Sequence, residues 1–343
     1  MGLLASTISV AERAPLPDIA LKFGVSTLVS NARRKLAALP AGVEALFAKQ
    51  MIDHPVAANT EEANAQHYEL PEEFFGLVLG PRRKYSSCFY GPGADTLAQA
   101  EDKALATTAE HAGLKDGQEI LELGCGWGSL SLWMAETLPN ARITSVSNSH
   151  SQRAYIEGQA QLRGLGNLRV VTADMNDFQP EAGPFDRVVS VEMFEHMSNW
   201  RTLLERVRTW VKPEGRVFIH IFTHRSTPYR FDHRDEADWI GRYFFTGGIM
   251  PSHGLISHFP DLFEVEADWN WNGRHYELTA LDWLANFDRN SVQVLRVLKE
   301  VYGAEANLWH RRWRLFFLAT AGLFGHNHGE EWGVSHYRLK PVS

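Results

Sequence analysis

The sequence predicts an α/β protein: a doubly wound parallel sheet, preceded by a helical cap and followed by helical insertions. Three observations carry that expectation. Between about residues 95 and 223, short apolar strands alternate with helices, a spacing that right-handed crossovers turn into a parallel sheet covered on both faces. The first strand runs straight into a glycine turn and a helix. The 343 residues suit one enlarged domain better than two large ones.

Residues 1–90 read as a helical lid. Leu28–Leu39 has apolar residues at helical spacing, with Arg33, Arg34 and Lys35 on another face, and Pro40 and Gly42 end it. Tyr68–Phe75 is expected to turn into a helix with Pro71 at its first position. Residues 91–223 hold the alternating core. A helix over Leu97–Ala112 precedes a strand over Glu119–Leu123, then a helix over Ser129–Glu136. Arg142–Ser147 is a strand, Gln152–Leu162 a helix, and Leu168–Thr172 a strand leading to the acidic Asp174–Asp177. Phe185–Ser190 is a strand, Met193–Val211 mostly helix, and Arg216–Phe222 another strand. Residues 224–343 are expected to insert a substrate-binding segment and complete the core. They contain the aromatic and glycine stretch Trp239–Pro251 and a largely helical Leu281–Phe324.

Composition narrows the function classes. Lys plus Arg total 34 against 41 for Asp plus Glu, so the formal charge is −7 and nucleic acid is not the expected partner. A hydrophobic content of 44% suffices for a full core. No run approaches the roughly 20 apolar residues of a membrane helix. The first residues lack a basic region and include Glu12, which disfavours a secretory leader. Met1-Gly2 with Ser6 fits only the loose myristoylation pattern. Two cysteines, Cys88 and Cys125, make neither a disulfide framework nor a four-thiolate metal site, and a reducing cytoplasm is the expected compartment.

The glycine turn discriminates between nucleotides. Leu121–Gly128 reads LELGCGWG. A dinucleotide fingerprint needs its last glycine at position 129, which is Ser, and an acid ending the second strand, where Thr144–Asn148 has none. No phosphate-cradling GxxxxGK[ST] is present there. An acid followed by G-x-G-x-G suits S-adenosylmethionine, which carries an ammonium, a carboxylate, a ribose and an adenine but no phosphate. Glu122 would orient the ammonium through its hydrogen-bond network, and Gly124 and Gly126 would give room to the amino-acid part. Asn148 and Gln152 would bond the ribose, Asp174 the adenine amine, and Met175 would pack on the ring.

Chemistry is expected after the fourth strand, where Ser190–Met197 reads SVEMFEHM. Glu192, Glu195 and His196 would share one helical face at the carboxyl edge of the sheet and titrate together. An inverted zinc motif would need His at position 192, which is Glu, so no metal is expected. The pattern suits amine methylation. An aliphatic ammonium, with a pKa of about 10, must lose its proton before its nitrogen can attack a sulfonium methyl. Carboxylates attract the cation, and His196 or a carboxylate accepts the proton.

These residues carry a resemblance. YSSCFY (Tyr85–Tyr90), LELGCGWGSLSL (Leu121–Leu132), SVSNSHSQ (Ser145–Gln152) and VEMFEHM (Val191–Met197) resemble the cyclopropane-fatty-acid-synthase-like methyltransferases, closest to their coclaurine N-methyltransferase branch. The match continues in Asp238–Ser252, Asn272–Thr279 and Leu323–Trp332. The resemblance implies a class I methyltransferase, Rossmann-like doubly wound sheet with an N-terminal helical lid. It implies cofactor contacts from Tyr85 and Ser86, catalytic roles for Glu192, Glu195 and His196, and positions near the substrate amine for Tyr68 and Glu69. Tyr243, Phe244, Phe245, Trp269, Trp271 and Trp332 are the aromatics that could cage a flat or cationic substrate, and Tyr243, Phe244 and Trp332 are the contacts expected among them. The implied partner is a small aromatic or heterocyclic amine, with no nucleic acid, no stable membrane insertion, and a homodimer allowed.

The rival within the same superfamily is methyl transfer to a phospholipid alkene, in which a bound bicarbonate removes the proton. Glu195 and His220 fit two of the positions that hold bicarbonate there. The cysteine position holds Ser87, with Cys88 one residue off, and the tyrosine position holds Phe316 or Phe317. The lipid enzymes usually carry glycine where this chain has Glu192. These departures favour an amine.

Overall fold

In the computed structural model, which describes residues 12–14, 16–58, 70–235 and 238–342, the central feature is a seven-stranded sheet. Its strands are β1 (Glu119–Leu123), β2 (Arg142–Ser147), β3 (Leu168–Thr172), β4 (Phe185–Val191), β5 (Val211–His224), β8 (Phe263–Trp271) and β9 (Trp332–Pro341), in the order β3-β2-β1-β4-β5-β9-β8. β1 to β5 pair in parallel, while β9 inserts antiparallel between β5 and β8. A two-stranded ribbon of β6 (Tyr229–Arg230) and β7 (Ile249–Met250) stands apart.

The helices are α1 (Asp18–Ala37), α2 (Val43–Gln50), α3 (Glu72–Val78), α4 (Leu97–Ala112), α5 (Ser129–Thr137), α6 (His150–Leu162), α7 (Trp200–Trp210), α8 (Trp239–Tyr243), α9 (Arg274–Arg289), α10 (Ser291–Tyr302) and α11 (Ala306–Phe324). Local chemistry sets their ends. Thr96 and Gln99 form a reciprocal capping box on α4, and Gly113 in the left-handed conformation stops it. Pro71 is the cap of α3 rather than its first residue, because the helix begins at Glu72. α1 ends before Pro40, as the sequence implies.

Two departures from the sequence reading matter for the site. Glu192 is not helical: it takes φ of 45°, and only Phe194–His196 forms a single 3-10 turn before α7 starts at Trp200. Beyond residue 223 the alternation resumes, with β8 and β9 completing the sheet. β8 eluded the sequence reading because its burial pattern is half-exposed, so its apolar run is short.

The lid is tied down by specific contacts. Arg314 of α11 donates to both oxygens of Asp18 at 2.6 and 2.9 Å, and Arg33 donates to Glu331 at 3.1 Å. Between lid and sheet lies a cluster built on Phe74, Phe75, Trp127, Trp283, Trp313 and Phe317. On the opposite face, Leu203, Leu204 and Val207 of α7 pack with Val188, Val217 and Ile219. Among the described residues, no helix is long and apolar enough to cross a membrane.

The glycine turn is the constraint that opens the sheet edge. Gly124, Gly126 and Gly128 all have positive φ, and Gly128 caps α5. A Cβ on Gly128 would lie 2.6 Å from Cγ1 of Ile156. Gly128→Ala should therefore lower the unfolding free energy by about 1–3 kcal/mol. Urea denaturation measures this, and a variant as stable as the parent would show that the turn stores no such constraint.

Candidate active site

Two cavities open at the carboxyl ends of the parallel strands. The first encloses about 1230 Å³, its open mouth included, and is lined by Tyr85, Ser86, Glu122, Gly124, Gly126, Asn148, Gln152, Asp174 and Met175. These are the nine cofactor residues expected from sequence, brought together from four separate segments. The second, of about 770 Å³, is lined by Tyr85, Phe222, Phe231, Phe245, Tyr276, Trp283, Phe316 and Phe324, among others. Glu192 and His196 line both cavities, and Glu195 lines the second. The acid–imidazole trio thus stands at the junction of a polar cleft and an aromatic chamber.

The cleft is shaped for a ligand with several polar ends. Glu122, the penultimate residue of β1, is buried, its Oε2 accepting from Ser131 and, at 2.7 Å, from Ser145. Burial pushes its carboxyl up, and those two hydroxyls pull it back. Ser147 donates to Oε1 of Gln152 at 2.7 Å, while Nε2 of Gln152 finds no partner among the described residues. The hydroxyls of Ser129 and Thr108 and the indole N–H of Trp127, all on the cleft wall, are likewise without partners. Buried polar groups of this kind cost free energy unless something bonds them, so they fit a polar ligand such as S-adenosylmethionine. Gly126 leaves open space where a Cβ would stand, whereas a Cβ on Gly124 would lie 2.6 Å from Cβ of Met193.

All three side chains of the trio are shifted by burial. Glu192 directly follows β4, where its N–H donates to the carbonyl of His220 at 2.8 Å. Its Oε1 accepts from the Ser87 N–H at 3.0 Å and stands 3.2 Å from Nε2 of His220. Its Oε2 accepts from the Tyr276 hydroxyl at 2.7 Å. Burial raises the Glu192 carboxyl, and the neighbouring Lys84 ammonium opposes that rise. Glu195 is 1% exposed, and its Oε2 finds no hydrogen-bond partner among the described residues. Burial and then the Glu192 charge push the Glu195 carboxyl well above its ordinary range. His196 stacks on Phe245 with ring centroids 5.2 Å apart, and burial lowers its pKa to about 4. At neutral pH the imidazole is uncharged, and burial side by side disfavours a charge on both carboxyls at once.

Some expected substrate contacts lie elsewhere. Tyr243, Phe244 and Trp332 are not among the chamber's lining residues: Phe244 stacks on Phe316, Trp332 packs against His224, and Tyr243 lies under the Arg312 guanidinium. Phe245, another of the aromatics named from sequence, faces the chamber. Tyr68 and Glu69 lie outside the described residues, as does the Met1–Ser6 pattern. Lys84 and Tyr276 are functional-site residues that sequence reasoning missed. Tyr276 belongs to the Asn272–Thr279 motif, but its spacing from Glu192 gives no hint of contact. Phe316 occupies the chamber wall, whereas His220 is turned to Glu192, and the Ser87 hydroxyl donates to the Cys88 carbonyl at 3.2 Å.

Comparison with known proteins fits this geometry. Residues 57–330 match the mycolic acid cyclopropane synthetase family. The chain is 35% identical to an (S)-coclaurine N-methyltransferase of Thalictrum flavum subsp. glaucum, over 83% of this chain and 80% of that one. It is 30% identical to a cyclopropane-fatty-acyl-phospholipid synthase of Escherichia coli (strain K12), over 78% of this chain and 66% of that one. A crystal structure of coclaurine N-methyltransferase bound to N-methylheliamine and SAH superposes with a TM-score of 0.93 at 30% identity, covering 99% of this chain and 100% of that one.

The lowered pKa of His196 makes a stability prediction. Below pH 6.5 an unfolded histidine takes up a proton that the folded ring takes only near pH 4. The fold therefore loses stability as pH falls from 6.5 towards 4. In His196→Asn that share is absent, so its melting temperature should fall less than the parent's across the same window. Parallel melting curves for the two proteins would contradict the buried, neutral assignment.

Proposed function

This chain belongs to the mycolic acid cyclopropane synthetase family and is an S-adenosylmethionine-dependent N-methyltransferase, and from that premise we propose that its acceptor is a small, flat ring amine bound in the aromatic chamber. The observation that carries this reading is the junction itself: two buried carboxyls and a neutral imidazole between a cofactor cleft and an aromatic-walled cavity. Aromatic walls suit a flat cation through both packing and their negative ring faces. The relative solved with N-methylheliamine supports the same class of acceptor. Two buried free cysteines suit a reducing cytoplasm as the workplace.

S-adenosylmethionine supplies an electrophilic methyl group on its sulfonium. The polar cleft residues bind and orient the cofactor, with Asn148 and Gln152 towards the ribose and Asp174 and Met175 towards the adenine. Tyr85 lines both cavities and helps hold donor and acceptor in line, the kind of positioning that supplies several kcal/mol of rate enhancement.

Glu195 takes the amine's proton. Its Oε2 has no hydrogen-bond partner among the described residues, whereas both oxygens of Glu192 are engaged. Basicity decides the same way. Each pKa unit of mismatch between the ammonium and its base is worth about 1.4 kcal/mol. A His196 near pKa 4 is a poor match for an ammonium, and a carboxyl pushed well above its usual range is a better one. Glu192, ionised, strengthens Glu195 as a base and attracts the cation. His196 stays uncharged and packs beside the reacting nitrogen.

The phospholipid reading loses support at His220. In this chain its Nε2 faces Glu192, so the position that would hold bicarbonate is already engaged by a carboxylate. Labelled methyl donor offered to tetrahydroisoquinoline and other ring amines, beside unsaturated phospholipids, should label only amines. Glu195→Gln should lower kcat by about a hundredfold or more while leaving the KM for S-adenosylmethionine unchanged. Labelled acyl chains, or full turnover by Glu195→Gln, would overturn the assignment.

A further inference from the structure

Behind Glu192 a line of three histidines leads away from the pocket. Nε2 of His220, on β5, stands 3.2 Å from Oε1 of Glu192. Nδ1 of His220 lies 2.7 Å from Nε2 of His336, on β9, and Nδ1 of His336 lies 2.8 Å from Nδ1 of His111, at the end of α4. His220 and His336 are fully buried and walled by Trp271 and Phe218. His111 is half-buried and stacks on Trp269 with ring centroids 3.8 Å apart. The line therefore joins a carboxyl sealed inside the site to a ring that reaches the surface at another place.

We propose that His220, His336 and His111 form a proton outlet through which Glu192 ionises when a cationic acceptor fills the pocket. The proposal rests on the amine reading above and deepens it. For Glu195 to receive the ammonium's proton, Glu192 must carry its charge. Cofactor and acceptor then occupy the two cavities that give Glu192 its other contact with water.

The transfer moves one proton and leaves every ring neutral. Glu192 gives its O–H proton to Nε2 of His220, and His220 gives its Nδ1 proton to Nε2 of His336. His336 gives its Nδ1 proton to Nδ1 of His111, and His111 releases its Nε2 proton to water. Only N–H and O–H bonds change. The rings end with their protons on the sides that point towards Glu192, so His220 now donates to the carboxylate it has discharged. When the cationic product has left and water re-enters the second cavity, Glu195 gives the amine's proton to that water, and the same shifts in reverse return a proton to Glu192.

The surroundings suit this traffic. Burial keeps His220, His336 and His111 below their ordinary pKa, so each passes a proton on rather than holding it. Lys84 faces His220 and His336 and disfavours a resident positive charge there. Arg338 and Glu110 act on His111 with opposite signs. Lys84, His196, Tyr276 and Glu195 face Glu192 at the inner end. Neutral imidazoles with one donor and one acceptor nitrogen are the side chains that can carry such a relay.

His111→Ala tests the outlet at its accessible end, with tetrahydroisoquinoline as acceptor. Turnover near neutral pH should fall roughly tenfold and recover with added imidazole or methylimidazoles, in an order set by the buffer's pKa. A ring that merely packs would not be replaced in that way. On mixing acceptor with enzyme and S-adenosylhomocysteine, where no methyl can move, an indicator dye should show fast proton release by the parent. Release should be slow in both His111→Ala and His336→Gln. Parent-like turnover by His111→Ala, or a loss that no buffer restores, overturns the outlet. Glu192→Gln separates the two claims: if it is inactive while His111→Ala is untouched, only the outlet fails. If Glu192→Gln turns over like the parent, the reading of the trio fails with it.

Discussion

Withholding water from two neighbouring carboxyls is the constraint on which the site depends. In solution Glu192 and Glu195 would both be ionised at neutral pH and too weakly basic to touch an ammonium. Buried at the same junction, they resist a double charge until a cation arrives to share the field. His196, under the same burial, goes the other way and is held neutral. One environment thus strengthens the acids as bases and keeps positive charge off the imidazole.

The fold creates that environment by convergence. β4 delivers Glu192 at a left-handed residue, which turns the chain sharply before the 3-10 turn that holds Glu195 and His196. β5 runs beside β4 and presents His220 directly across from Val191. The Ser87 N–H comes from the segment before α4, and the Tyr276 hydroxyl from α9. The antiparallel insertion of β9 sets His336 opposite His220. A parallel sheet gathers loops at one edge, and here the loops carry polar groups that a continuous helix would have spread apart.

Much of this was legible in the primary structure because it is local. The strand–glycine–helix signal at Leu121–Gly128, the acids after β3 and the Glu192–His196 cluster fall at strand ends, where chain order alone fixes their side of the sheet. The seven cofactor contacts expected on that ground line one cleft, together with Tyr85 and Ser86, which only the resemblance implied. What stayed hidden is either non-local or a matter of phase. The helical spacing expected for Glu192 failed because a left-handed residue breaks the period, and nothing in SVEMFEHM signals that φ. Phe244 and Phe245 differ by one position, and only the packing against α11 decides which faces the chamber. The histidine line joins residues 111, 220 and 336, which no short-range pattern connects.

The central claim is that a buried carboxyl removes a proton before the methyl moves. Two acceptors of the same size separate that step from every other: tetrahydroisoquinoline, an alkylamine protonated at neutral pH, and tetrahydroquinoline, an arylamine already neutral there. The ratio of parent to Glu195→Gln turnover on each is the decisive measurement. A large defect on the protonated amine and little or none on the neutral one is the expected result. An equal defect on both would mean that Glu195 shapes the pocket without taking the proton, and would contradict the account.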